Sequence, residues 1–134
     1  MLIMVCLDTT FLIDLLRGDD KVSLVLDKLE RSEESVSISA ASIMELVSGA
    51  SSCKNILPEK EKVMKLLESM IVLEFNKDSA ILAGEIEAYL RKEGNMIDIE
   101  DIIIGATALK NNEILITRNK KHFERIKELQ IEVY

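Results

Sequence analysis

Three carboxylates in this chain, Asp8, Glu45 and Asp101, stand where strand-like sequence gives way to helix-like sequence. Asp8 is the first polar residue after the apolar run Leu2 to Leu7, which places it at the carboxyl end of a buried strand. Taken alone, it reads first as a helix N-cap, contributing about 1 kcal/mol by accepting from backbone amides. Its other role is that of a metal ligand or catalytic acid. Glu45 lies near the start of a helix, and Ser42-Ile43-Met44-Glu45 fits a capping box in which Glu45 reaches back to the N-cap amide. It lies off the Ile43, Leu46, Val47, Ala50 stripe, however, and is free to face a crevice. Asp98 and Asp101 share a helix face, and Asp98-Ile99-Glu100-Asp101 also resembles a capping box, with Asp98 as the cap. The sequence that follows, Ile102 to Ala106, is apolar nearly all round, so this helix is buried. An isolated carboxylate there would neutralise unless partnered, and no basic residue is near in sequence. Function is therefore the better reading for Asp101. Thr117 and Asn119 follow another apolar strand, where a hydroxyl and an amide either orient carboxylates or serve as turn residues.

No single residue decides between structure and chemistry. Together, Asp8, Glu45, Asp101, Thr117 and Asn119 fall at one edge of the expected sheet or at helix starts feeding that edge. Converging acids repel unless a cation neutralises them, and a hard, oxygen-ligated ion, Mg²⁺ or Mn²⁺, suits that donor set. Such an ion activates water and steadies the charge that develops on a phosphodiester. Rival constellations are missing from the sequence: it has no Gly-rich phosphate loop, its one histidine, His122, reads as a surface residue, and only 4% of residues are aromatic. A phosphoacceptor receiver domain would need paired acids after the first strand, where Asp8 stands by itself.

The elements that must position these residues alternate. Strands are expected at Leu2 to Leu7, Ser35 to Ser39, Ile71 to Phe75, Glu113 to Thr117 and Ile131 to Tyr134. Helices are expected at Thr10 to Leu16, Val22 to Leu29, around Ile43 to Ala50, from Glu59 to Met70 after Pro58, and at Ser79 to Lys92, Asp98 to Lys110 and Lys120 to Leu129. Strands separated by helices imply right-handed βαβ units and a mostly parallel sheet flanked by helices, with ligands bound outside the carboxyl ends of the strands.

The totals bound the rest. The 134 residues suit a single domain spanning 1–134, with 48% hydrophobic and 31% charged residues, as in an ordinary globule. Cys6 and Cys53 lack metal-ligand spacing and read as reduced thiols. Asp8 interrupts the opening apolar run too early for a signal peptide, and no run approaches the ~20 apolar residues of a membrane span, so a cytoplasmic protein is expected. The net charge of −7 is the wrong sign for nucleic acid as a whole. Phosphate contacts would then fall to a local patch, for which Arg17, Arg118, Lys120, Lys121 and Arg125 are the candidates, a solvated helix face being the other reading.

The segment Asp8-Thr9-Thr10-Phe11-Leu12-Ile13-Asp14 with Arg17 resembles the opening motif of PIN-domain proteins of the VapC toxin type. The segments from Ala41 to Gly49, from Asp101 to Ala108 and from Leu115 to Ile126 resemble that family's later motifs, in order and over nearly the whole chain. The resemblance implies an α/β, PIN-like three-layer sandwich and a metal-dependent endoribonuclease, the toxin of a toxin–antitoxin pair. It implies that Asp8, Glu45 and Asp101 bind Mg²⁺ or Mn²⁺, with Asp8 and Asp101 as direct ligands. By the same resemblance Thr117 holds Asp8, Phe123 packs, and the protein forms a homodimer silenced by a cognate antitoxin. Asn119 departs from the pattern, standing where many relatives carry a fourth acid. That departure keeps open a catalytically weak PIN-fold module acting through protein partners, and a DNA-directed nuclease also stays open.

Overall fold

The computed structural model describes residues 3–32 and 34–134. In chain order the elements are β1 (Met4–Leu7), α1 (Thr9–Leu16), α2 (Asp20–Arg31), β2 (Ser35–Ser39), α3 (Ala40–Ser51) and α4 (Ile56–Glu68). These are followed by β3 (Ile71–Leu73), α5 (Lys77–Lys92), α6 (Ile99–Lys110), β4 (Ile114–Thr117), α7 (Lys120–Phe123) and β5 (Ile131–Val133). The strands form one sheet in the order β3-β2-β1-β4-β5, and every neighbouring pair is parallel.

Alternation along the strands divides the core into two layers. Val5 and Leu7 of β1, Ile38 of β2 and Ile116 of β4 pack with α1, α2, α3 and α4. Cys6 and Leu115 point to the opposite face, where α5, α6 and the Phe123–Ile126 segment cover them. The result is helix, sheet, helix. Because β1 and β4 are covered on both faces, they read as continuous apolar runs. Successive strands leave β1 on one side as β2 and β3, then return to its other side as β4 and β5. The β1–β4 boundary is thus the point where the strand order reverses and where the carboxyl ends open a crevice.

Several expected boundaries moved, for physical reasons. The first strand begins at Met4, and Leu2 lies outside the described residues. The second helical segment extends to Asp20–Arg31 because Asp19 caps it by accepting from Val22 N at 3.1 Å. Pro58 is the third residue of α4 rather than its opener, still within the turn whose amides need no intrahelical partner. The edge strand β3 ends at Leu73, and Phe75 is partly exposed beyond it.

The helix expected from Lys120 to Leu129 stops at Phe123. Beyond it the chain makes three-residue turns, with Ile126 N donating to Phe123 O at 3.0 Å. Phe123 and Ile126 are both buried against α6, and a Cβ on Gly105 would overlap the Ile126 side chain. The absence of a side chain at Gly105 leaves the room that Ile126 fills against α6.

Candidate active site

Asp8 N donates to Ile116 O at 3.0 Å, which fastens the end of β1 to β4 across the switch point. The Asp8 side chain, only 3% exposed, is held by three donors. Oδ1 accepts from Thr9 N at 2.8 Å, the N-cap bond of α1. Oδ2 accepts from the hydroxyls of Thr10 at 3.0 Å and Thr117 at 2.7 Å. Asp8 therefore does cap its helix, and its orientation is set by groups that the cap does not require. A carboxylate has about four lone-pair sites, so Oδ1 is the oxygen left with one to spare.

Glu45 reaches the same edge from α3. The capping box expected at Ser42–Glu45 does not form. Ser39 caps the helix instead, its hydroxyl accepting from Ala41 N at 3.1 Å, so α3 starts before Ser42. Ser42 and Glu45 are then interior helix residues on the side facing α1. Thr9 Oγ1 lies 2.8 Å from Ser42 Oγ and donates to Glu45 Oε1 at 2.9 Å. Thr9 had no assigned role in the sequence, yet it holds Asp8 with its amide and Glu45 with its hydroxyl.

Asp101 arrives on the first turn of α6. The partner that sequence proximity failed to supply is His122, whose Nδ1 lies 2.9 Å from Asp101 Oδ2. The carboxylate only accepts, so Nδ1 carries the proton in this pair. The reading of His122 as an unengaged surface residue is therefore corrected. Asn119 donates its backbone N–H to Thr117 Oγ1 at 2.9 Å, while its side-chain nitrogen sits 3.0 Å from His122 Nδ1. Its amide thus stands beside His122 rather than at Asp8. Asp98 is the N-cap of α6 by position, but its side chain accepts no capping bond.

Electrostatics link the three acids. Burial pushes the Glu45 carboxyl above the usual range, against the lowering effect of the Thr9 hydroxyl, and the charges on Asp8, Glu100 and Asp101 push it further. Burial also raises Asp101; the hydrogen bond from His122 opposes the shift, while Asp8 adds to it. Among the described residues, no Lys or Arg forms an ion pair with Asp8, Glu45 or Asp101. Oxygen donors that repel one another and lack a fixed countercharge fit a hard divalent cation.

The basic candidates divide. Arg118 pairs with Asp14 of α1 at 2.9 Å, and Asp14 also accepts from the Tyr134 hydroxyl at 3.0 Å. Arg125 is spent on the carbonyls of Met96 and Asn95, at 3.0 and 3.4 Å, bracing the α5–α6 connection. Lys120 and Lys121 stay exposed at the carboxyl edge, and Arg17 borders a cleft of about 210 Å³ that Glu45 also lines.

The family model described as PIN domain matches residues 5–129. The chain is 32% identical over 119 residues to Ribonuclease VapC1 of Methanocaldococcus jannaschii, covering 87% of this chain and 84% of that one. It is also 32% identical over 97 residues to the tRNA(fMet)-specific endonuclease VapC of Salmonella typhimurium, covering 71% and 72% of the two chains. Among solved structures, VapBC2 from Rickettsia felis, bound to a DNA fragment from its promoter, aligns with a TM-score of 0.92 at 25% identity, over 98% of this chain and 99% of that one. VapBC from Salmonella typhimurium, bound to DNA, gives 0.88 at 26%, over 99% and 98%. A match this long, over a parallel sheet with its acids at the switch point, makes the chain a member of the PIN-domain family.

Proposed function

We propose that this chain is an endoribonuclease of the VapC kind, the toxin of a VapBC-type toxin–antitoxin pair, with a divalent-metal centre built on Asp8, Glu45 and Asp101. The observation that carries the reading is the triple anchoring of Asp8 by Thr9, Thr10 and Thr117, with Oδ1 left able to accept once more. A cap needs one such bond. A metal ligand needs its orientation locked by surrounding groups.

Asp8 and Asp101 would hold the ion directly, and Glu45 would face it or a water beside it. When bound, Mg²⁺ or Mn²⁺ supplies the positive charge that activates water and stabilises the phosphodiester during hydrolysis. The chain's own work is positioning. Thr117 and Thr10 fix Oδ2 of Asp8, Thr9 ties Asp8 to Glu45, and His122 steadies Asp101. Lys120 and Lys121 would meet RNA phosphates at the same edge, supplying locally what the net charge of −7 withholds.

Relatives named as ribonucleases support the RNA substrate, and neighbours solved as VapBC complexes support a cognate antitoxin. A homodimeric, single-domain cytoplasmic enzyme completes the proposal; among the described residues no helix is long and apolar enough to cross a membrane. Incubating the folded, partner-free chain with RNA in Mg²⁺ or Mn²⁺, and separately with chelator, tests the reading. Cleavage only with metal supports it. Absence of cleavage in both would favour a binding module.

A further inference from the structure

Parallel pairing of β4 with β5 puts Thr117 in register with Val133, so the residues that follow, Arg118 and Tyr134, emerge side by side at the carboxyl edge. The Tyr134 ring lies edge-on against the fully buried Phe11 of α1, with centroids 4.9 Å apart and planes at 78°. That packing delivers its hydroxyl to one face of α1. Thr10 and Asp14 stand four residues apart in α1 and share that face. The Tyr134 hydroxyl lies 3.0 Å from Asp14 Oδ2 and 3.3 Å from Thr10 Oγ1.

A half-buried tyrosine hydroxyl needs one partner, and Asp14 alone would satisfy it. The reach to Thr10 exceeds that need, and Thr10 gives its own proton to Asp8 Oδ2 at 3.0 Å. A threonine hydroxyl has one proton and two lone pairs. While Tyr134 donates to one lone pair, the Thr10 proton is left to point at Asp8. The two bonds then run in one direction, each polarising the next. Burial pushes the Tyr134 phenol up to about 12, with Thr10 opposing and Asp14 adding, so it keeps its proton and donates at neutral pH. Arg118, 2.9 Å from the same Asp14 oxygen, offsets the pull of that carboxylate on the shared proton.

We propose that Tyr134 is a positioning residue for Asp8, acting through the Thr10 hydroxyl from the far side of α1's first turn. It orients the first acid without touching an ion or RNA. Its consequence for metal binding rests on reading Asp8 as a metal ligand.

A double-mutant cycle of Tyr134→Phe and Thr10→Val, with Asp8→Asn beside it, tests the link in the partner-free chain. Phe keeps the ring against Phe11, and circular dichroism checks the fold of each variant. Should Thr10→Val unfold, Thr10→Ala closes the same cycle. Two quantities are read: the Asp8 carboxyl ¹³C resonance without metal, and Mn²⁺ affinity by calorimetry. Tyr134→Phe should shift the resonance and weaken Mn²⁺ binding roughly tenfold, the low end for loss of an outer-shell partner. In the Thr10→Val background it should add nothing to either, because the two residues act as one unit. No change in Tyr134→Phe, or an equal change with and without the Thr10 hydroxyl, would overturn the positioning role. If Asp8→Asn still loses Mn²⁺ in that case, the metal centre stands. No Mn²⁺ binding by wild type, together with a Thr10-dependent shift of the Asp8 resonance, would overturn the metal centre and uphold the Tyr134 link.

Discussion

Thr117 ends β4, Asp8 follows the adjacent parallel strand β1, and the Thr117 hydroxyl donates to Asp8 Oδ2 at 2.7 Å. Thr117 is fully buried, and its oxygen also accepts from Asn119 N at 2.9 Å. One hydroxyl therefore sets the direction of the first acid and the course of the chain toward His122. Thr117→Val should lower kcat by roughly ten- to a hundredfold, as loss of an outer-shell partner does, with KM little changed. It should also cost about 1–3 kcal/mol of stability, because the buried Asp8 carboxylate loses a donor and the part-buried Asn119 N its acceptor. Thr117→Ser, which keeps the oxygen, should restore most of both. Steady-state kinetics and thermal melting of the two variants check this.

Glu45 predicts stability and activity moving in opposite directions. Its carboxyl is raised by burial and by neighbouring acids, so the folded metal-free chain holds the Glu45 proton more tightly than the unfolded chain does. That contribution is complete at low pH and is lost as pH rises through the folded-state pKa. Above it, ionised Glu45 is a liability. Glu45→Gln keeps an acceptor for Thr9 and removes the charge, so at neutral pH without metal it should melt higher than wild type. It should also lose Mn²⁺ affinity and RNA cleavage. A variant that melts lower and binds metal normally would contradict the account.

The same sign argument applies far from the acid edge. Glu113 is 7% exposed, receives the Ser37 hydroxyl at 2.6 Å, and has its carboxyl raised by burial against that hydrogen bond. Its stabilising contribution is present below the unfolded carboxyl pKa of about 4.3 and is lost as pH climbs through the raised folded value. Glu113→Gln should therefore raise the melting temperature by a few degrees near pH 7 and not near pH 4. Melting curves across that range decide it.

The two cysteines should differ in reactivity by environment. Cys6 is fully buried in β1, and burial together with the nearby Glu113 charge pushes its thiol up to about 12. Cys53 is exposed after α3. A thiol-modifying dye should label one cysteine in the native chain and both in denaturant, with the native label mapping to Cys53 by peptide mass.

Much of this site was legible because strand ends and helix starts leave local marks. Asp8 closes an apolar run, Asp101 opens a buried helix, and Thr117 ends the strand that lies against β1. What stayed hidden depends on how elements pack. The Ser42–Glu45 pattern is a sound capping box locally, but Ser39 starts α3 earlier and turns those residues toward Thr9. His122 lies 21 positions from Asp101 in sequence. Their contact joins the first turn of α6 to α7 across the intervening β4, which no periodicity displays. The basic patch fared similarly. Arg118 and Arg125 look free in sequence, yet one is paired with Asp14 and the other bound to two carbonyls.

The most direct test of the central claim is RNA cleavage by wild type and by Asp8→Asn, purified identically and free of partner, with Mn²⁺ and with chelator. The account predicts metal-dependent cleavage by wild type and its loss in a folded Asp8→Asn chain, since Asn retains the cap but not the charge. Equal cleavage by the two proteins would contradict the assignment of Asp8, and with it the metal centre at the carboxyl edge.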